Sequence, residues 1–278
     1  MGRAAHVRDA AAGAVAAVGA GDDPGLIPPG LDATLVLCRH GETTWIRENR
    51  FQGAADPPLS ALGERQAAAL ADRLADAARP PALPVPAGPP TFIRCSPLRR
   101  ARAAADAIAA RRPNGPAAVP DPALRELSQG GWEGMPLAEI LATDGVRLAG
   151  WRRDPLTTWA PGGESLPDTD ARVRPALRDL LGALGSGRPP GSPDRPQVPG
   201  MPADHRRDHP WAVVVGHDGM LKVTLLALLD LPLARYWSFP FELCGITVVE
   251  VLAGRPRLVA HNLVEHLAGL DATRPGPT

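Results

Sequence analysis

Three apolar runs of strand length each end abruptly in a strongly polar cluster, and this arrangement limits what the chain can fold into. Leu35-Val36-Leu37-Cys38 runs into Arg39-His40-Gly41-Glu42-Thr43, Phe92-Ile93 leads to Ser96-Pro97-Leu98-Arg99-Arg100, and Val213-Val214-Val215 runs into Gly216-His217-Asp218-Gly219. Strands are predicted at 34–38, 91–95, 211–215, 245–252 and 257–261. Helical patterns alternate with them. Ser60 is placed to cap a helix carrying Leu62, Leu70 and Leu74, and a second helix spans 99–112. Val173, Leu177, Leu180, Leu181 and Leu184 form the clearest amphipathic stripe, with Pro175 expected to kink its first turns. Residues 221–229 are nearly all apolar and should pack deep. Such alternation predicts an α/β layered fold with a mainly parallel sheet. Ligands of such sheets bind at the carboxyl edge of the strands, so the three polar clusters should meet there.

Two histidines and several arginines in one crevice suit a phosphate monoester, whose oxygens match guanidinium forks bidentately. Each unit-charge contact at ~4 Å is worth about 4 kcal/mol at an effective dielectric of ~20, before desolvation. A neutral imidazole beside arginine can attack phosphorus, and a carboxylic acid must then protonate the leaving oxygen. Glycines beside both histidines allow close approach of backbone N–H groups, and a helix beginning after Gly219 would aim its positive end at the same place.

Composition narrows the partners. The 278 residues carry 30 basic and 30 acidic side chains, so no overall positive field exists to hold nucleic acid or an anionic membrane. No stretch approaches the ~20 apolar residues of a membrane span. Cys38, Cys95 and Cys244 are far apart and form no C-x-x-C pair, which argues against a zinc site or a disulfide framework and for a reducing cytoplasm. The run 10–20 lacks the leucines of a signal-peptide core. Asp204-His205-x-x-Asp208-His209 has metal-like spacing inside a proline-rich stretch and reads as a solvated charge run. Neither a G-x-S-x-G elbow nor a P-loop occurs.

Residues 1–31 read as a flexible leader, 32–270 as one catalytic domain with proline-rich surface insertions near 79–90 and 185–210, and 271–278 as a frayed tail. Trp132, Trp151 and Trp159 suit either core packing or contact with a substrate; His261 and His266 read as structural.

At the polar clusters the sequence resembles the histidine phosphatase superfamily, the phosphoglycerate-mutase-like group. Arg39-His40-Gly41-Glu42-Thr43, continuing through Trp45 to Phe51-Gln52-Gly53 and Asp56-x-x-Leu59-Ser60-x-x-Gly63-x-x-Gln66-Ala67, resembles its N-terminal signature. Ser96-Pro97-Leu98-x-Arg100-Ala101, Leu124-x-Glu126 with Gly131-Trp132-Glu133-Gly134, Pro161-Gly162-Gly163-Glu164-Ser165 and Gly216-His217-Asp218-Gly219 follow in the family's order. The resemblance implies a three-layer α/β/α sandwich and a phosphomonoesterase that needs no cofactor or metal and acts on a small phosphorylated metabolite. It implies His40 as nucleophile, Glu126 as proton donor, and Arg39, Arg100 and His217 as grips on the phosphoryl group. Gly53 and Gly219 would line the pocket. Two positions depart from the family: Ile46 stands where many members carry a phosphate-binding asparagine, so Asn49 or Gln52 is expected to compensate, and Asp218 replaces a frequent glycine. Leu127-Ser128-Gln129-Gly130 after Glu126, in place of the Arg-His-Tyr-Gly run of the sugar-acid mutases, favours hydrolysis over a phosphomutase. The retained polar set speaks against an inactive phosphate-binding module. Oligomeric state is not legible.

Overall fold

A computed structural model describes residues 25–186 and 209–270. The leader before residue 25, the segment 187–208 and the tail from 271 lie outside the described residues, and with them most of the Asp204 to His209 cluster.

Six strands form one sheet. In chain order they are β1 (Ala33–Arg39), β2 (Phe92–Cys95), β3 (Ala118–Pro120), β4 (Trp211–Gly216), β5 (Ile246–Leu252) and β6 (Arg255–Leu263), and across the sheet the order is β3-β2-β4-β1-β5-β6. The four strands from β3 to β1 pair in parallel, while β5 runs antiparallel to both β1 and β6. The helices are α1 (Thr44–Arg47), α2 (Ala61–Ala75), α3 (Arg99–Ala110), α4 (Leu137–Arg153), α5 (Leu166–Ser186) and α6 (Asp218–Leu228).

Side-chain alternation along the central strands builds the three layers. Val36, Cys38, Ile93, Val213 and Val215 face Leu70 and Leu74 of α2 and Ala104 and Ile108 of α3. Leu35, Leu37, Ala212 and Val214 face the other way, onto the stripe Val173, Leu177, Leu181 and Leu184 of α5 and onto Leu221, Leu225 and Leu228 of α6. Because β1 and β4 are buried on both faces, they read as unbroken apolar runs, as parallel strands between helices must.

All five expected strands are present. The short β3 has no signal of its own, since only Ala118 of Ala118-Val119-Pro120 is buried. Its Pro120 is tolerated because β3 is an edge strand. Helix α5 runs through Pro175 without interruption. Residues 79–90, expected at the surface, send Leu83 into the core with Val85 packed beside it. Leu26, Ile27 and Leu31, assigned from the sequence to the leader, likewise pack against the α5 and α6 layer.

Candidate active site

Register places the two histidines side by side. In the β1 and β4 ladder Arg39 pairs with Gly216, so His40 and His217 each stand one residue beyond the same rung. The His40 N–H donates to the Gly216 carbonyl at 3.1 Å, and the imidazole centroids lie 5.1 Å apart at 60°. On the other side of β4, Cys95 pairs with Val215 and the chain turns through Ser96 into α3. Arg100, at the second position of α3, thereby points back over the sheet edge.

Arg100 is 1% exposed, and three neighbours hold its guanidinium. It donates to the carbonyls of Ala55 (2.7 Å) and Gly53 (2.8 Å), and its Nε reaches His40 Nε2 at 3.3 Å. Gly53 adopts φ 52°, and a Cβ there would lie 2.4 Å from Glu133 Oε1, so only glycine lets this loop close over the arginine. The neighbouring Arg99 faces solvent, as its adjacency to Arg100 requires, and pairs with Asp56 at 3.4 Å.

The tautomer of His40 follows from its partners. Nδ1 lies 2.6 Å from the Gly41 carbonyl, which can only accept, so Nδ1 carries the proton and Nε2 presents its lone pair. Burial, and after it the charges of Arg100 and Arg39, push the His40 pKa well below the usual range, which keeps the ring neutral. The same causes act on His217, in the order burial, Arg100, His40 and Arg39. Neither ring nitrogen of His217, nor Nε of Arg39, has a hydrogen-bond partner among the described residues. Buried polar atoms without partners are costly, so three such atoms around one imidazole pair mark a place built for a ligand with several acceptor oxygens. Arg39 is anchored at its other end, Nη1 donating to the Phe241 carbonyl at 2.6 Å.

Glu126 arrives from the loop after β3. Its Oε1 accepts from the backbone N–H of Leu127 (2.9 Å) and Met220 (3.0 Å), and Oε2 from that of Gly219 (3.2 Å). Burial, then the nearby Asp218 carboxylate, push its pKa above the usual carboxylate range. The loop is pinned from outside by Arg172, which grips Glu164 through two bonds of 2.8 and 2.7 Å and also donates to the carbonyls of Ala123 (2.6 Å) and Arg125 (3.1 Å). Glu133 ties the next stretch, accepting from Ala54 N–H, Ser128 Oγ and Gln129 N–H.

Asn49 takes a different place from the one expected of it. It is exposed with φ 55° at the end of α1, and its backbone bonds run to Ile46 and Leu137, away from the cluster. The left-handed turn that closes α1 accounts for an asparagine at this position through its backbone, and the Asn49 side chain makes no hydrogen bond to the cluster among the described residues. Gln52 stays beside the site, with Oε1 accepting from Thr43 Oγ1 at 2.7 Å, which leaves its NH2 group free to donate elsewhere. Trp132 belongs to the core at 2% exposure, whereas Trp159 is surface-exposed. His261 and His266 are structural, bonded to Thr247 Oγ1 and to the Cys244 carbonyl.

The chain matches the sequence profile of the histidine phosphatase superfamily (branch 1) over residues 35–188 and 197–264. It belongs to that superfamily. A glucosyl-3-phosphoglycerate phosphatase of Mycobacterium tuberculosis is 36% identical over 204 residues, covering 73% of this chain and 78% of the relative. A phosphoserine phosphatase 1 of Hydrogenobacter thermophilus is 27% identical over 236 residues, covering 84% and 93%. Among solved structures, a mycobacterial glucosyl-3-phosphoglycerate phosphatase in complex with VO3 superposes with a TM-score of 0.64 at 32% identity, covering 83% of this chain and 99% of the other. The three-layer arrangement here is therefore the histidine phosphatase fold.

Three features of this histidine phosphatase site lie outside the sequence motifs or carry no role in them. Arg172 carries no motif of its own, because the carbonyls it grips are close only in the fold. Tyr236 and the pair Asp218 and Lys222, bonded at 2.7 Å, also border the site. For that pair a signal existed: an acid and a base four residues apart on one helix face.

Proposed function

We propose that the protein is a phosphomonoesterase acting on a small phosphorylated metabolite through a phosphohistidine on His40. The observation that carries this reading is the hydrogen bond from His40 Nδ1 to the Gly41 carbonyl, which leaves Nε2 as the only nucleophilic ring atom, facing Arg100 and His217. His40 Nε2 attacks phosphorus, the ester P–O bond breaks, and Glu126 gives its proton to the departing oxygen. Water then attacks the phosphohistidine, the N–P bond breaks, and the Glu126 carboxylate takes the proton from water. Arg39, Arg100 and His217 hold the phosphoryl oxygens, Gln52 offers a further donor, and Gly53 and Gly219 shape the pocket wall. The guanidinium groups supply the charge stabilisation without a metal ion or cofactor.

Hydrolysis, rather than return of the phosphoryl group to another hydroxyl, fits the chain's likeness to relatives named as phosphatases. The described residues 25–186 and 209–270 are assigned to one catalytic domain, because Leu26, Ile27 and Leu31 pack into its core. Among the described residues no helix is long and apolar enough to cross a membrane, and Cys38, Cys95 and Cys244 are buried free thiols, which fits a cytoplasmic enzyme.

Purified protein incubated with p-nitrophenyl phosphate and a chelator is expected to release phosphate. Rapid quenching with labelled substrate should trap an acid-labile, base-stable phosphoprotein that His40→Ala lacks. An acid-stable adduct would assign the nucleophile to another residue, and no turnover on a panel of monoesters, glucosyl-3-phosphoglycerate and phosphoserine included, would leave only phosphate binding. Adding hydroxyl acceptors tests for phosphomutase transfer in the same assay.

A further inference from the structure

Glu126 stands in a setting that opposes its role as an acid. Its carboxyl rests on the N-terminus of α6, where the N–H groups of Gly219 and Met220 and about half a unit of positive charge favour the anion. Arg100 acts in the same direction. A general acid has to hold a proton, so something must counter these effects.

Burial counters them most, and after it the charged group that does so is at the first position of α6. Asp218 Oδ2 is bonded to Lys222 Nζ at 2.7 Å, and Oδ1 accepts from the Phe241 N–H at 3.4 Å, the residue whose carbonyl holds Arg39. The carboxylate is thus fixed at the helix end that binds Glu126. Lys222, the only lysine of the chain, is 5% exposed, and its ammonium lies over the rings of Tyr236 (5.2 Å) and Trp237 (4.9 Å). A Cβ on Gly219 would lie 2.8 Å from Glu126 Oε1 and 2.9 Å from the Tyr236 hydroxyl, so those two groups converge on one point beside Asp218.

We propose that Asp218 is a positioning residue for the acid step: its carboxylate, fixed by Lys222 at the N-terminus of α6, holds Glu126 in the protonated form, and Lys222 sets how strongly it does so. A carboxylate at the same helix terminus raises the cost of ionising Glu126, and a cation bonded to that carboxylate reduces the effect. The other groups around Glu126 are Arg100 from α3, Arg39 and His40 at the end of β1, His217 after β4, Tyr236 from the turn beyond α6, and Arg172 of α5 through the Arg125 carbonyl. The arginines favour the anion, the buried neutral histidines carry no charge, and the Tyr236 pKa is itself pushed up by burial, Asp218 and Glu126. Asp218 is therefore the group that raises Glu126 electrostatically. The proposal rests on Glu126 being the proton donor.

The test is kcat/KM against pH for phenyl phosphate, whose poor leaving group makes the acid step matter, in the full chain carrying Asp218→Asn, Asp218→Glu, Lys222→Met or Glu126→Gln. The rate falls as pH rises through the pKa of the acid, so the basic limb reports Glu126. Asp218→Asn should move that limb to lower pH by about one unit. Lys222→Met should move it upward, and Asp218→Glu should restore the parent profile. Limbs that do not move, or that move the same way in Asp218→Asn and Lys222→Met, overturn the proposal. So does an Asp218→Asn loss equal to that of Glu126→Gln at every pH, because Asp218 would then be the donor itself. If Asp218→Asn does not fold, the direction of the Lys222→Met shift decides. A Glu126→Gln variant that keeps the parent limb and rate would remove the acid assignment. A Glu126→Gln variant that loses the limb while Asp218→Asn leaves it in place would remove only the role of Asp218.

Discussion

At the scale of single residues, the site works by denying charge to its histidines. His40 and His217 share a buried space with two guanidinium groups, and protonating either ring there would add a third positive charge. Both rings therefore stay neutral well below the ordinary histidine range, which is the form the proposed attack by His40 needs. The roles separate by magnitude. His40→Ala removes the covalent route itself, whereas Glu126→Gln removes proton donation, typically worth ~10²- to 10⁴-fold. On phenyl phosphate the first variant should lose more than the second, and the Glu126→Gln loss should shrink on p-nitrophenyl phosphate, whose leaving group needs less help. Equal small losses in steady-state assays would contradict the assignment. Much of this was legible in sequence order: the two histidines, Arg39, Arg100 and Glu126 all lie in motifs and all reach the cluster. The exposed, left-handed turn at Asn49 is not legible from its distance to Trp45 along the chain.

At the scale of elements, a few tight contacts aim the catalytic loops. The signature Gly41-Glu42-Thr43 packs on the start of α2: a Cβ on Gly63 would lie 1.9 Å from the Glu42 carbonyl, and Ser60 both caps α2 through the Gly63 N–H at 3.1 Å and donates to Glu42 Oε1 at 2.6 Å. Ser60→Ala should cost about 1 to 3 kcal/mol in urea unfolding, from the lost cap and the bond to a charged carboxylate. Gly63→Ala should cost at least as much. Arg172→Met tests the other loop. Without its grip on Glu164 and on the carbonyls of Ala123 and Arg125, Glu126 loses its fixed position, and kcat should fall about ten- to a hundredfold with KM little changed. A parallel thermal melt separates this from simple unfolding. The spacing Ser60-x-x-Gly63 announces the first contact. Nothing in the sequence announces the second, since Arg172 lies far along the chain from the carbonyls it holds.

For the whole molecule, the buried histidines make stability depend on pH. His40, His217 and His266 have pKa values lowered in the fold, His266 to about 4, chiefly by burial. The unfolded chain therefore binds more protons than the native one below the ordinary histidine pKa of about 6.5. Their contribution is complete above that value and is lost as pH falls from it toward the lowered native values. Melting temperature should thus decline on acidification from about pH 6.5 to 4, and His266→Asn should flatten the slope; a flat parent profile would contradict the buried neutral state. Glu126 acts oppositely, costing stability as pH rises, but it is one group against these three histidines and His261, whose pKa burial also lowers. Apolar runs, capping residues and turn glycines are local signals, so the sequence by itself determined the α/β class, five of the six strands and which polar motifs end those strands. Only the tertiary structure decided the strand register that sets His40 beside His217, the carbonyls that aim Arg100, and the meeting of Glu126 with the N-terminus of α6 beside Asp218. Those are distances between segments far apart in the chain, and no local propensity encodes them until the sheet has formed.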